Sequence, residues 1–180
     1  MDELKKYRLG FVVGRFQMFH KGHMSIIDTC RKNARRCVVL IGSSEKSRTE
    51  RNPFSFEERK EMIEKVFPDV EIFPLPDIGV GDVPKWGDYL FATIQKCCQE
   101  SPDLYVSGKE DKIDHWFDAK KRRDLTTMKV DRKSIPICAS RLREYLIKGE
   151  EAEWKKYVSS KLYPCYEEYR KILLSIGGND

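Results

Sequence analysis

Two of the chain's three histidines, His20 and His23, sit three residues apart in the stretch Gly14-Arg15-Phe16-Gln17-Met18-Phe19-His20-Lys21-Gly22-His23. An apolar run, Leu9 to Val13, precedes this stretch and a helix-like segment follows it. The spacing therefore reads as a strand-to-helix turn. A helix start has unpaired N–H groups and a positive dipole end, both of which favour anions. Gly14 and Gly22 allow sharp turning or close approach of backbone to a ligand. The imidazoles can donate hydrogen bonds to phosphate oxygens, and each becomes cationic if a bound phosphate raises its pKa. Arg15 adds a permanent charge with fork geometry. For a bare H-x-x-H, a tight turn with two surface histidines is the better reading. A metal site is less well supported, because no Cys, Asp or Glu at suitable spacing supplies further ligands.

The elements that must hold this turn follow from periodicity. Leu9 to Val13 and Arg36 to Ile41 read as buried strands, with a helix over Lys21 to Asn33 between them. Ser55 is a natural N-cap, and Glu58 completes a capping box for a helix from Phe56 to about Phe67, where Pro68 ends it. Val70 to Leu75 is a third strand. Pro76 to Pro84 is a loop rich in Gly and Pro, and Lys85 to Gln99 a helix. Leu104 to Val106 is a short fourth strand ended by Ser107-Gly108, Asp111 to Lys120 a helix, and Thr127 to Val130 a fifth strand. Helices over Ser140 to Ile147, Glu151 to Tyr157 and Tyr163 to Ser175 form the tail, with a frayed end at 177–180. This alternation predicts an α/β fold: a Rossmann-like open parallel five-stranded sheet, helices on both faces and a helical C-terminal tail. Residues 1–150 would form the main domain and 151–180 an extension packed on it. In such sheets chemistry lies beyond the carboxyl ends of the strands, which is where the histidine turn falls.

Bulk properties narrow the class. The chain has 180 residues, 40% hydrophobic and 35% charged, enough for one domain with a real core. Its +5 charge suits an anionic substrate, and nucleic acid as well. The densest basic run, Lys120-Lys121-Arg122-Arg123, has no interleaved aromatics and reads as a solvated helix end rather than a nucleic-acid surface. No apolar run reaches membrane-spanning length and the start lacks a signal core, so a cytoplasmic location is expected, with no membrane partner and six reduced cysteines.

Three further clusters could carry chemistry. Gly42 to Arg59 combines small residues and cations that could surround a polyphosphate or form a mobile charged loop. Trp86, at a helix start near Asp77-Ile78, is either packing or a flat face for a cationic ring. Ser140 reads as an N-cap with Arg143 one turn on: either an ordinary capped helix or a second anion site. His115, Trp116 and Phe117 read as packing, and the Trp154-to-Tyr169 aromatics as a cover or self-association surface.

The histidine stretch resembles the G-R-F-Q-P-F-H-x-G-H signature of nicotinamide-mononucleotide adenylyltransferases, within the HxGH nucleotidyltransferase superfamily; Met18 stands where that family has proline. Gly42, Ser43, Ser47, Asn52, Pro53, Phe54, Glu58 and Arg59 are similar in order and spacing to the same family's second segment, and Ser140 and Arg143 to its last. The resemblance implies adenylyl transfer from ATP, with Mg²⁺, to nicotinamide mononucleotide, giving NAD and pyrophosphate. It implies catalytic roles for His20, His23 and Arg15. Gly14, Arg15, Phe16, His20, His23, Arg51, Ser107, Gly108, Ser140 and Arg143 would bind ATP, and Trp86, Asp77 and Phe16 the acceptor, with no protein metal ligand. It further implies a homo-oligomer. The alternatives are another phosphorylated acceptor, CTP in place of ATP, or a non-catalytic nucleotide sensor.

Overall fold

A computed structural model describes residues 4–108 and 112–177. Five parallel strands form one open sheet in the order β3-β2-β1-β4-β5: β1 Tyr7–Gly14, β2 Ala34–Gly42, β3 Glu71–Leu75, β4 Leu104–Ser107 and β5 Thr126–Lys129. The order reverses between β1 and β4, so the histidine turn, which follows β1, lies at the switch point. Side chains alternate across the sheet and are buried on both faces. Leu9, Phe11, Val38 and Leu40 enter one core with Leu90 and Ile94 of helix α3 (Pro84–Cys98). Val12, Val39 and Ile41 enter the other with Ile27 of α1 (Lys21–Asn33) and Met62 of α2 (Phe56–Val66). Burial on both faces explains why these strands read as continuous apolar runs.

Helix α2 starts as its sequence requires: the Ser55 side chain accepts from Glu58 N–H and the Glu58 side chain accepts from Ser55 N–H. The single helix expected over Asp111 to Lys120 is instead two short helices, α4 (Ile113–Trp116) and α5 (Ala119–Asp124). Phe117 leaves the helix in extended conformation to bury its ring, and Asp118 then caps α5 by accepting from Lys121 N–H at 2.8 Å. Core burial of one aromatic thus outweighs helical continuity. The expected helix start at Asp111 and the frayed end at 178–180 lie outside the described residues. The basic run forms α5, where Lys121 pairs with Asp88 and Arg122 with Asp114.

The tail comprises α6 (Ala139–Lys148), α7 (Glu151–Lys155), a 3-10 turn over Ser160–Cys165 and α8 (Tyr166–Ile176). Ser140 does not cap α6. Cys138 holds the cap position without a side-chain bond, and Ser140 lies inside the first turn. Trp154 is fully buried in the α1-side core, and its Nε1–H points at the Met18 sulfur, 3.2 Å away. The Tyr157 carbonyl accepts from Lys21 N–H at 2.8 Å, satisfying one orphan donor of α1. No described helix is long and apolar enough to cross a membrane.

Candidate active site

The histidine turn folds around its own first imidazole. His20 caps α1, its Nδ1 accepting from Gly22 N–H at 3.0 Å. The acceptor role of Nδ1 places the proton of the neutral ring on Nε2, so His20 is a fixed Nε2–H donor. The His23 ring stacks on it with centroids 3.8 Å apart, backed by Phe16 at 4.9 Å. Burial, reinforced by Arg132, pushes His20 down to about 3. His23 lies well below its ordinary value through burial, then His20, then Arg132. Both imidazoles are therefore neutral in the free protein. The His23 Nδ1 is buried with no hydrogen-bond partner among the described residues. A side chain at Gly22 would stand 2.8 Å from the His20 ring and 3.1 Å from Arg132 Nη1, so only glycine admits both groups to the helix start.

Beside this turn, about 640 Å³ of open space forms a cleft walled by Arg15, Arg51, Asp77, Trp86 and Trp116. Arg15 and Arg51 supply the cationic end; burial and then Arg51 lower the Arg15 pKa, with Asp77 opposing. Trp86 and Trp116 supply the aromatic end, their centroids 6.3 Å apart and nearly perpendicular. Trp116 is tethered by Nε1–H donation to Asp82 at 2.8 Å. Asp77 is already engaged in the free protein: Ser43 Oγ donates to it at 3.0 Å and Lys46 Nζ at 2.7 Å, and the Lys46 contact holds its carboxyl below the usual range.

The remaining candidate residues occupy the surroundings. Ser140 and Arg143 line a separate groove of about 520 Å³ with Glu50 and Pro53. Arg143 reaches the histidine turn, however, by donating to the Gln17 carbonyl. Phe16 is buried behind His23 and is absent from the cleft wall. Ser107 and Gly108 are buried at the end of β4, and the Ser107 Oγ has no partner among the described residues. A third groove, about 410 Å³, runs along Val130 to Cys138 after β5.

Two side chains hold these segments in register. Gln17 exchanges hydrogen bonds with the backbone of Phe54, each at 2.9 Å, tying the histidine turn to the Asn52-Pro53-Phe54 segment. Arg59 donates to the carbonyls of Arg15, Gly42, Ser43 and Ser55. The 43–54 segment is further pinned by the Arg48–Glu58 pair at 2.5 Å, so it is not a loose charged loop. Sequence reading missed Gln17, Trp116 and Arg132 as parts of the site. Locally Trp116 reads as packing; its place in the cleft wall depends on α4 lying against α3.

A family model for cytidylyltransferase-like proteins matches residues 11–162. The chain belongs to the cytidylyltransferase-like family. Within it, a nicotinamide-nucleotide adenylyltransferase of Thermococcus kodakarensis is 26% identical over 170 residues, 91% of this chain and 84% of the relative. That of Saccharolobus solfataricus is 38% identical over 88 residues, 45% of this chain and 50% of the relative. A bifunctional NMN adenylyltransferase/ADP ribose pyrophosphatase from Francisella tularensis, solved with AMP and a manganese ion, superposes with a TM-score of 0.72 at 24% identity, over 94% of this chain and 52% of that one. The chain thus spans about half of that structure and of the Saccharolobus relative, and it shares the α/β fold of the former.

Proposed function

We propose that the chain is an adenylyltransferase that joins ATP and nicotinamide mononucleotide to give NAD and pyrophosphate. The observation that carries this reading is the cleft itself. Its wall combines two arginines with two indoles, and a neutral histidine pair stands beside it at the start of α1. A mononucleotide bearing a cationic pyridinium suits both: its phosphate pairs with Arg15 and Arg51, and its ring with Trp86 and Trp116 in a cation–π arrangement. The names of the relatives support the same reaction.

In this reading the acceptor's phosphate oxygen attacks the α-phosphorus of ATP in line. The new P–O bond forms as the α–β P–O bond breaks, and pyrophosphate leaves with that electron pair. A dianionic phosphate needs no general base, so the protein supplies positioning and charge. His20 Nε2–H and His23 donate to the ATP phosphates, Arg15 and Arg51 balance charge on the cleft side, and Arg143 and Ser140 act from α6. The adenine occupies the groove along Val130 to Cys138, beside Ser107 and Gly108.

Nucleotidyltransferases generally use divalent ions, and ATP enters as its magnesium chelate. No group of three or more His, Cys, Asp or Glu side chains that could hold a metal ion exists among the described residues, and Asp77 is engaged by Lys46 and Ser43. When bound with ATP, such an ion would supply positive charge to the phosphate oxygens.

The test is incubation with Mg²⁺, ATP or CTP, and a panel of phosphorylated acceptors, reading pyrophosphate and dinucleotide. Release with ATP and nicotinamide mononucleotide supports the reading. Release only with CTP or another acceptor, or with none, overturns it.

A further inference from the structure

Arg59 is a fully buried guanidinium. Among the described residues it forms no ion pair within the 4.0 Å limit for one. Its donors go to four backbone carbonyls instead. Nη1 donates to Arg15 and Gly42, both at 2.8 Å, Nη2 to Ser43 at 3.2 Å, and Nε to Ser55 at 3.1 Å. The Arg15, Gly42 and Ser43 carbonyls lie where the chain leaves β1 and β2, under the cationic end of the cleft. Burial depresses the guanidinium pKa to about 10 and the neighbouring Arg15 acts in the same direction, with Glu45, Glu57 and Glu58 opposing. Burial lowers Arg15 and Arg143 most; Arg51 adds to the first and Arg15 to the second, opposed by Asp77 and by Cys138 and Glu50 respectively.

A buried charge without a counterion is destabilising, and a neutral amide can tie loops together at lower cost. Gln17 does so one turn away, with two bonds to Phe54. What an arginine adds over such an amide is charge. Four like charges, Arg15, Arg51, Arg59 and Arg143, interact in the free protein; Glu45, Glu57 and Glu58 act on the innermost only from beyond ion-pair distance, and among the described residues no carboxylate touches it.

We propose that Arg59 is a positioning residue that also serves as a buried positive charge beneath the phosphate end of the cleft, its counterion being the bound polyphosphate. The role rests on reading this cleft as a polyphosphate site. Arg59 sets the loops after β1 and β2 in place and makes the empty site repel itself, and an incoming polyanion relieves that repulsion.

The probe is inorganic tripolyphosphate, measured by calorimetry at several salt concentrations, beside thermal melting of the free protein. Arg59→Lys keeps the charge and loses the fork; Arg59→Gln keeps part of the hydrogen bonding and loses the charge. Both melt below wild type. Arg59→Gln binds tripolyphosphate at least about tenfold more weakly with a shallower salt dependence, whereas Arg59→Lys stays within about threefold of wild type. A purely structural residue would weaken binding equally in both variants, and that result overturns the proposal. Should neither variant fold, Arg15→Gln answers the same question from the surface. Relief of repulsion raises its melting temperature in the free state while its tripolyphosphate binding weakens; a lowered melting temperature overturns the proposal. Absence of tripolyphosphate binding to the wild-type protein sinks the functional reading along with it, whereas equal loss in the two Arg59 variants sinks this inference alone.

Discussion

Acidification removes stability from the free protein through the histidine pair. The His20 ring is 2% exposed and its Nδ1 is occupied by the Gly22 N–H, so the folded protein keeps it neutral down to about pH 3. In the unfolded chain the same ring takes a proton near pH 6.5. The folded pKa is the lower one, so the stabilisation is fully present above the unfolded value and is lost as pH falls below it. Between about pH 7.5 and about pH 5 the unfolded state gains a proton that the folded state refuses, which costs roughly 2 kcal/mol from His20 alone. His23, shifted in the same direction, deepens the loss. For a domain of this size the His20 share is a fall of about 4–8 °C in melting temperature. The variant His20→Asn isolates it, because asparagine is an equally good N-cap and does not titrate. Its melting temperature falls less than that of wild type over the same pH interval, by about that amount. Parallel pH profiles for the two proteins would refute the assignment of His20 as a neutral cap.

Other perturbations have equally definite outcomes. Gly87→Ala places a methyl carbon 1.9 Å from the Trp116 carbonyl oxygen and 2.8 Å from its carbon, so α3 and α4 must separate. Stability falls by about 1–3 kcal/mol, and the KM for the acceptor rises more than that for ATP, read by melting and steady-state kinetics. Trp86→Ala and Trp116→Ala each raise the acceptor KM by about tenfold with little change for ATP; an effect on ATP instead would place the rings elsewhere. Gln17→Ala leaves the Phe54 backbone pair without partners. It lowers kcat as well as melting temperature, because the histidine turn loses its fixed distance from Arg51.

What the sequence made legible was local or periodic. The Ser55–Glu58 box lies within four residues and specified the start of α2. The runs at Leu9 to Val13 and Arg36 to Ile41 specified strands buried on both faces, and with the alternating helices they specified the sheet. The break at Phe117 was hidden because it depends on a pocket formed by Phe11, Phe91 and Tyr105 side chains far away in the chain. Ser140 looked like a cap by residue type, but the chain enters α6 two residues earlier. Arg15, Arg51, Asp77 and Trp86 were each visible as chemistry, and the structure brings them to one cleft. The engagement of Asp77 by Ser43 and Lys46 was not visible, since it spans 34 and 31 residues. The same distance problem concealed Arg132, which reaches the start of α1 from beyond β5.

The Met18–Trp154 and Lys21–Lys156 contacts join residues 136 and 135 positions apart, at the opening motif and near the end of the fold. During synthesis the motif emerges early, yet its brace exists only after α7 has cleared the ribosome. Contacts of such long sequence separation form late, because loop closure must be completed first. A message broken or stopped before codon 154 therefore yields a chain with every histidine, arginine and serine of the site and no Trp154 or Tyr157 behind them. Such a fragment would solvate Met18 and leave the first amide of α1 unpaired, so truncated products would be discarded as unstable proteins instead of competing as weak enzymes.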